Sequence, residues 1–146
     1  MTVKKMKKAQ GWEIRLNELI LKYYSLPFER GQNCCFLFIS DCYEALCGES
    51  PISEWRGKFK TKMKALALYR KNAGTDSFEK TFQWLSPVKS HKFAQRGDLG
   101  IFIDKDGNEI LGVVGMSGRD FLVRCEDRDG LVSLKLNENI KLWRVE

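Results

Sequence analysis

The residues with the clearest chemical potential are the adjacent thiols Cys34 and Cys35, which follow Asn33. Asn33 is a residue type that caps helices, and apolar residues recur after it at helical spacing. The pattern therefore predicts a helix from about Asn33 to Leu46. The thiols then lie in its first turn, where unpaired N–H groups and the positive end of the helix dipole favour thiolate over thiol. A thiolate in this setting could act as a nucleophile.

Catalysis by a thiol nucleophile also needs a base that takes and returns a proton. His91 is the only histidine of the chain and therefore the only imidazole that could serve as this base. It lies in a segment, 87–93, that the sequence predicts as a loop. The alternatives are structural, since a histidine between Ser90 and Lys92 can be an exposed loop residue and a helix cysteine can be a buried apolar side chain.

Helical periodicity occupies the first half of the chain and strand patterns occupy the second. Helices are predicted at about 12–24, 33–46 and 60–71, with a short helix around 78–85. The third helix is expected to turn Met63, Leu66 and Ala67 inward. The predicted core packs Phe38, Ile39 and Leu46 of the second helix against residues of the strands, namely Ile101, Ile103, Val113 and Leu122. Strands are predicted at 99–103, 110–116, 121–125, 131–136 and 140–145. This order predicts an α+β fold with N-terminal helices packed on a C-terminal antiparallel sheet. Residues 12–146 are expected to form this single domain, and residues 1–11 a basic N-terminal segment.

Length and composition suit one globular domain, since the chain has 146 residues of which 43% are hydrophobic. No apolar run approaches the roughly 18 residues that span a membrane, and none follows the lysines of residues 1–8 as a secretory signal would require. The odd count of five cysteines argues against a disulfide framework. The absence of a C-x-x-C pair argues against zinc, and we predict no cofactor.

The positive charge is concentrated in the first part of the chain. Residues 1–92 carry 17 Lys and Arg against 9 Asp and Glu, whereas residues 93–146 carry 8 against 10. Within the basic part, the candidate binding surface consists of Lys58, Lys60, Lys62 and Lys64. Such cations could contact nucleic acid, an anionic wall polymer or an acidic protein, or form a solvated helix face. No nucleic-acid-binding motif is recognisable, so nucleic acid ranks below a protein partner.

Three short segments, in this order, resemble the NlpC-type branch of the papain-like cysteine hydrolases. They read GQNCCFLFI at 31–39, RGDLGIF at 96–102 and ILGVVG at 110–115. That branch has an Asp-Cys-Ser-Gly-like start to a helix, then Gly-Asp-Leu before a strand and a His-Val-Gly-Ile strand. The resemblance implies a papain-like fold with Cys35 as the nucleophile and Cys34 in place of the usual Asp. Ile110 takes the position of the base histidine, and isoleucine cannot accept a proton.

The chain resembles still more closely a small phage and prophage family of unknown function that derives from this branch. The matching pieces lie at 27–31, 33–35, 45–48, 56–57, 96–98 and 143–145, within residues 12–145. Members are encoded among tail genes. The resemblance therefore implies a role in the tail tip or in tail assembly and location in the virion or in the cytoplasm of the bacterial host. It also implies partners among other tail or virion proteins, with the bacterial cell wall as a further candidate.

Three functions follow, and the first is our expectation. The protein is a phage-type virion or tail-associated component with an NlpC-like fold and no competent triad, acting by assembly or binding. The alternative is an active cysteine amidase or peptidase on bacterial cell-wall peptides, with Cys35 as nucleophile and His91 as an unconventional base. The third is a basic module that binds nucleic acid or a host protein.

Overall fold

The computed structural model describes residues 6–52, 55–125 and 128–146 of the chain. Within these residues the helices are α1 Trp12–Tyr24, α2 Cys35–Cys47 and α3 Lys62–Ala73, with short 3-10 helices at Phe78–Phe82 and His91–Phe93. The strands are β1 Ser86–Val88, β2 Leu99–Ile103, β3 Glu109–Val114, β4 Asp120–Val123, β5 Val132–Lys135 and β6 Ile140–Arg144. The three α-helices therefore precede all the strands, as the sequence predicts.

The strands form one antiparallel sheet in the order β1-β6-β2-β3-β4-β5. This confirms the predicted α+β class with an antiparallel sheet in the second half. Strands β2 to β5 are a meander, whereas β6 returns to pair with β2. The sequence analysis missed β1, which pairs with β6 at the edge of the sheet. Pro87 lies within β1, and an edge strand tolerates proline because its missing N–H is not needed by a second neighbour.

Helix α2 supplies the centre of the core. It packs against α1 on one side and against β3 on the other. The predicted core partners share one buried cluster, whose members include Phe38, Ile39, Leu46, Ile101, Val113 and Leu122, with Ile103 packed against it. Along β3 the side chains alternate, so that Leu111 and Val113 belong to this helix-side cluster while Ile110 and Val114 pack on the opposite face of the sheet.

The predicted inward face of α3 is wrong. Met63, Leu66 and Ala67 were expected to point inward, but all three are exposed, Met63 at 82% and Leu66 at 37%. The buried residue is Tyr69, and Ala65 and Leu68 pack beside it against the core. A helical period of 3.6 residues fits either set of residues as the inward face. Turning the set with Tyr69 inward buries more apolar surface than turning Met63 inward, because the Tyr69 ring is large. Its edge-on contact with Phe78, at 4.9 Å between centroids, fixes the rotation of the helix.

The prediction that Asn33 caps α2 is also wrong. The helix begins at Cys35, and Cys34 holds the N-cap position without a side-chain hydrogen bond. The Asn33 amide instead ties together the loop that precedes the helix. Its Oδ1 accepts a hydrogen bond from the Glu29 amide at 2.7 Å, and its Nδ2 donates to the Pro27 carbonyl at 2.9 Å.

The described residues of the predicted N-terminal segment lie against the domain. Met6 is buried and its amide donates to the Trp84 carbonyl at 3.3 Å. The Lys8 amide donates to the Glu146 carbonyl at 3.0 Å, and its ammonium lies 4.5 Å from the centre of the Trp12 ring. Residues 6–8 therefore join the start of the chain to its end.

Two of the short motifs of the sequence, at 96–98 and 143–145, meet in a buried ion pair. Asp98 is 1% exposed, and Nε and Nη2 of Arg144 each donate to its carboxylate at 2.9 Å. The Gln95 amide donates to the same carboxylate at 2.8 Å. Beside the pair, the Trp143 ring stacks on Phe82 with 4.7 Å between centroids. The ion pair therefore joins the turn before β2 to the end of β6.

Asp98→Asn is expected to lower the free energy of unfolding by about 2 kcal/mol, because hydrogen bonds to charged groups contribute about 1.5–3 kcal/mol. Water reaches Arg144, whose side chain is 26% exposed, and this limits the loss. Urea denaturation of the variant measures the change. The matched control is Asp106→Asn in the exposed β2–β3 turn, which should change stability by less than about 0.5 kcal/mol. If both variants lowered the free energy of unfolding equally, the ion pair of Asp98 and Arg144 would not contribute to stability as described.

Candidate functional site

A cavity of about 280 Å³ lies at the start of α2, and the half-buried Cys35 borders it. Four parts of the fold contribute to its walls: the first turn of α2, one side of α3, the β2–β3 turn with the start of β3, and the residues around the end of β4. The loop before α2, the segment before α3 and the first 3-10 helix also contribute lining residues. The lining residues from the four parts are Cys34, Cys35, Phe36, Lys62, Ala65, Leu66, Tyr69, Asp104, Asn108, Glu109, Ile110, Arg124 and Cys125. The elements that position the candidate nucleophile are thus also those that enclose the cavity.

One wall of the cavity is a cluster of aromatic rings. The rings of Phe36 and Trp55 are stacked, with centroids 4.8 Å apart and an interplanar angle of 10°. Tyr69 meets Phe36 edge-on at 5.7 Å and also contacts Phe78. Its hydroxyl donates to the Ser77 carbonyl at 2.7 Å, which fixes the ring in place. The wall is therefore preformed, because each ring is held by another ring or by a hydrogen bond.

Arg124 holds the loop before α2, and the sequence analysis missed it. Its guanidinium is buried, and its five N–H groups reach five acceptors at 2.8–3.0 Å. These acceptors are the carbonyls of Leu26, Pro27, Asn33 and Gly130 and the Oδ1 of Asn33. Since an arginine has only five N–H donors, Arg124 positions the loop and has none left for a ligand. An arginine within the apolar run FLVRC at 121–125 was the available signal.

A close backbone contact fastens this loop to the segment before α3. The Gly57 amide donates to the Gly31 carbonyl at 2.6 Å. Gly31 has a φ of +86°, and a Cβ at this position would lie 2.0 Å from the Phe59 carbonyl oxygen, so only glycine fits. The Arg56 guanidinium pairs with Asp41 on α2. The matching pieces at 27–31 and 56–57 therefore hold two cavity-bordering segments together.

The five cysteines are free thiols with different surroundings. Burial raises the pKa of Cys42 well above its usual value. Burial and, next, the charge of Glu49 raise the pKa of Cys47 to about 11. Burial also raises the pKa of Cys125, which borders the cavity. Raised pKa values make these three thiols poor nucleophiles, so Cys35 at the helix N-terminus keeps its place as the candidate.

His91 borders a different depression. It begins the 3-10 helix that follows β1 and contacts β6. The residues around it include Val88 and Ile140, whose side chains pack on the sheet face opposite the helices. Strand β2 separates β6 from β3, the strand on which α2 packs. Among the described residues that line the Cys35 cavity there is no histidine.

The carboxylates beside the cavity are engaged in local structure. Glu109 accepts hydrogen bonds from the Ser77 hydroxyl and from the Phe78 amide, both at 3.2 Å. Asp104 accepts from the Asp106 amide and from the amide and side chain of Asn108, and these bonds lower its pKa. Glu109 thereby caps the 3-10 helix and Asp104 shapes the β2–β3 turn, rather than orienting a base toward Cys35.

One of the four candidate binding lysines borders the same cavity. Lys58, Lys60, Lys62 and Lys64 are all exposed. Lys62 borders the cavity directly, and Phe59, which lies between Lys58 and Lys60, is buried and lines it. Of the four lysines, Lys62 is thus the one that the structure places at the cavity that Cys35 borders.

Two features are absent from the part of the chain that the structure describes. No group of three or more His, Cys, Asp or Glu residues there could hold a metal ion. No helix there is long and apolar enough to cross a bilayer.

Comparison with known proteins identifies the chain at the level of a domain family. No curated protein and no solved structure matches it. A family model described as a domain of unknown function (DUF6950) matches residues 7–145, which include every helix and strand described above. The chain therefore belongs to the DUF6950 family.

Proposed function

We propose that this chain is a phage-type virion or tail-associated protein that uses a papain-like fold without a competent triad, and that it acts by binding or assembly. The observation that carries the proposal is the separation of the only imidazole from the candidate nucleophile. Cys35 borders the cavity at the start of α2, whereas His91 borders the depression beside β1 and β6. The proposal therefore assigns the cavity to binding.

The arrangement of α2 supports the papain-like part of the proposal. Its first residue is Cys35, and the helix packs on β3 of an antiparallel sheet, in the order along the chain that the resemblance implies. Ile110, which takes the place of the base histidine, borders the Cys35 cavity and packs against the hydrophobic cluster that contains Val114, and an isoleucine side chain can neither accept nor return a proton. Amide hydrolysis requires a group that protonates the leaving amine, and a thiolate alone cannot supply that proton.

The tail role rests on the resemblance to a family encoded among tail genes. The pieces that carry it hold the fold together: Gly31 and Gly57 are joined by a hydrogen bond, and Asp98 pairs with Arg144. These residues preserve the shape of the fold rather than a catalytic group. A protein that acts by binding needs residues that preserve its fold and does not need a catalytic group.

The hydrolase alternative is tested directly on bacterial wall peptides. Incubation with the purified protein, with Cys35→Ala and with His91→Ala is expected to release no amine above the background of a protein-free sample. All three proteins should show the same thermal unfolding, since Cys35 and His91 are not fully buried. Turnover by the parent chain that both substitutions abolish would overturn the proposal and establish a cysteine amidase or peptidase.

The assembly role is tested in the phage or prophage that encodes the chain. Particles purified after induction are expected to contain the chain when probed with a specific antibody. Deleting its gene should remove infectious particles, and complementation with Cys35→Ala should restore them to the level given by the parent gene. Particles that form normally without the gene, and that lack the chain when it is present, would contradict the proposal.

A further inference from the structure

We propose that the outward face of α3 binds the anionic surface of a phospholipid bilayer, with its lysines against the headgroups and Met63 in the interface beneath them. This outward face consists of four exposed residues, Met63, Lys64, Ala67 and Lys71. Such peripheral binding goes beyond the proposed function, which names no surface that the chain binds. Three properties of the described residues carry it: the direction of the face, its unpaired charge and its exposed apolar side chain.

The outward face points away from the cavity at the start of α2. Positions 63, 64, 67 and 71 recur at helical spacing, so their side chains share one side of α3. The side chains of α3 that line the cavity belong to the other set, namely Lys62, Ala65, Leu66 and Tyr69. Asp104 and Glu109 border the same cavity. Their carboxylates therefore lie toward the inward side of α3, not beside Lys64 and Lys71.

The charge around the outward face is positive and partly unpaired. Residues 55–75 contain seven Lys or Arg residues and no Asp or Glu. Arg56 and Arg70 each pair with an aspartate, and Lys62 has an interaction of its own. The other four cations are exposed, and their side chains form no ion pair or hydrogen bond with another described residue; they are Lys58, Lys60, Lys64 and Lys71. These four ammonium groups are available to an external anion.

The helix itself gains nothing from the lysines at its start. The positive end of the helix dipole favours acidic residues in the first turn, and α3 has none there. Lys60 and Lys62 instead flank the cap residue Thr61, and Lys64 follows within the first turn. These cations repel one another and the dipole, so an external anion beside Lys60 and Lys64 relieves both repulsions. Residues that oppose local stability are expected where a surface has a function.

The exposed apolar side chain favours a bilayer over other polyanions. Met63 is 82% exposed among the lysines, and a bilayer can bury it whereas a row of phosphates cannot. The aromatic residues of 55–75 that could stack on nucleic-acid bases are all buried, namely Trp55, Phe59 and Tyr69. The ammonium group of lysine is a point charge that suits a layer of anionic headgroups. A basic helix face with apolar residues is typical of proteins that bind membrane surfaces.

The test measures co-sedimentation of the purified chain with sucrose-loaded vesicles. One set of vesicles contains phosphatidylglycerol and phosphatidylcholine in equal amounts, and the other contains phosphatidylcholine alone. The double variant Lys64→Glu/Lys71→Glu reverses the charge of the outward face. Its matched control is Lys92→Glu/Lys135→Glu, which changes the net charge equally at exposed positions on the 3-10 helix His91–Phe93 and on β5.

A second pair of variants tests the apolar side chain. Met63→Ser removes it from the outward face. Leu21→Ser is the matched control, because Leu21 is 60% exposed on a different helix, α1. All these substitutions change exposed side chains, so circular dichroism should show thermal unfolding close to that of the parent chain.

The parent chain and both control variants are expected to bind the anionic vesicles with similar affinity. Lys64→Glu/Lys71→Glu should bind at least about tenfold more weakly, since each basic residue near an anionic surface contributes about fivefold. Met63→Ser should bind at least about fourfold more weakly, because each buried CH₂ group contributes about fourfold. Added salt should weaken binding by screening the lysines, and vesicles of phosphatidylcholine alone should bind the chain at least about tenfold more weakly.

Other results overturn the inference. No binding to the anionic vesicles at about 1 mM lipid, or equal binding to phosphatidylcholine alone, would remove the membrane contact. Equal weakening by the two lysine variants would show that net charge alone acts. Equal binding by Met63→Ser and Leu21→Ser would place Met63 outside the contact.

Competition separates the bilayer from other anions. Duplex DNA or poly-glutamate is added to the vesicles at an equal concentration of negative charge and is expected to leave most of the chain bound. Displacement by DNA would assign the outward face to nucleic acid, and displacement by poly-glutamate would assign it to an acidic protein. These failures leave the proposed function standing, because that function fails only by wall-peptide turnover or by the chain's absence from particles.

Discussion

Arg124→Met is expected to lower the free energy of unfolding by about 5 kcal/mol. The substitution keeps an unbranched side chain but removes every hydrogen bond to the five acceptors around the guanidinium. The Leu26 and Pro27 carbonyls and the Asn33 Oδ1 each keep one other donor and lose a hydrogen bond worth about 0.5–1.5 kcal/mol, whereas the Asn33 and Gly130 carbonyls lose the donor that Arg124 supplies, at about 1–3 kcal/mol each. These ranges sum to about 4–10 kcal/mol, and the expected loss lies in the lower half of that range. Domains have a total stability of about 5–15 kcal/mol, so this variant approaches the threshold of folding. Denaturant unfolding followed by circular dichroism measures the loss.

Arg124→Lys keeps the test decisive if the methionine variant does not fold. Lysine has three N–H donors, so at least two of the five acceptors lose their hydrogen bond to residue 124. We expect the free energy of unfolding to fall by about 2 kcal/mol. The control is Arg119→Met in the exposed β3–β4 turn, with an expected change below about 0.5 kcal/mol. A loss below about 1 kcal/mol for Arg124→Met would show that water replaces the guanidinium, contrary to the buried site described above.

Phe38→Ala is expected to lower the free energy of unfolding by about 3–5 kcal/mol, the range for removing a buried phenylalanine side chain. Phe38 is 0% exposed and its ring centre lies 4.7 Å from that of Tyr23, so the substitution opens a cavity between α1 and α2. The unfolding midpoint in urea should fall while the dependence on urea stays unchanged, because the folded chain remains compact.

Phe93→Ala is the matched control for this change. The Phe93 side chain is 63% exposed, and the contact of this residue with Arg144 is made by its carbonyl group, which alanine retains. The control should therefore lose less than about 1 kcal/mol. If Phe38→Ala were no more destabilising than Phe93→Ala, the placement of α2 at the centre of the core would be wrong.

The sequence by itself determined the elements and the position of the thiol. Periods of 3.6 and 2 residues depend on neighbours a few positions away, and they predicted the three α-helices and five of the six strands. The boundaries differ by one or two residues, and Cys35 lies in the first turn of α2 as predicted. The burial of Phe38 in one cluster with Ile101 and Val113 also followed, because the largest apolar residues of a central helix have to face the core.

Only the tertiary structure decided which contacts the ambiguous residues make. Asn33 reads as a helix cap when only its neighbours are considered, but the fold brings Arg124 to its carbonyl across 91 positions of sequence. The inward face of α3 was equally ambiguous, since the helical period allows either Tyr69 or Met63 to point inward. The contact of the Tyr69 ring with Phe78 decides between them. Contacts between such distant positions leave no periodic pattern in the chain. The cavity, its aromatic lining and the separation of His91 from Cys35 are consequences of these long-range contacts. The sequence pattern therefore did not predict them.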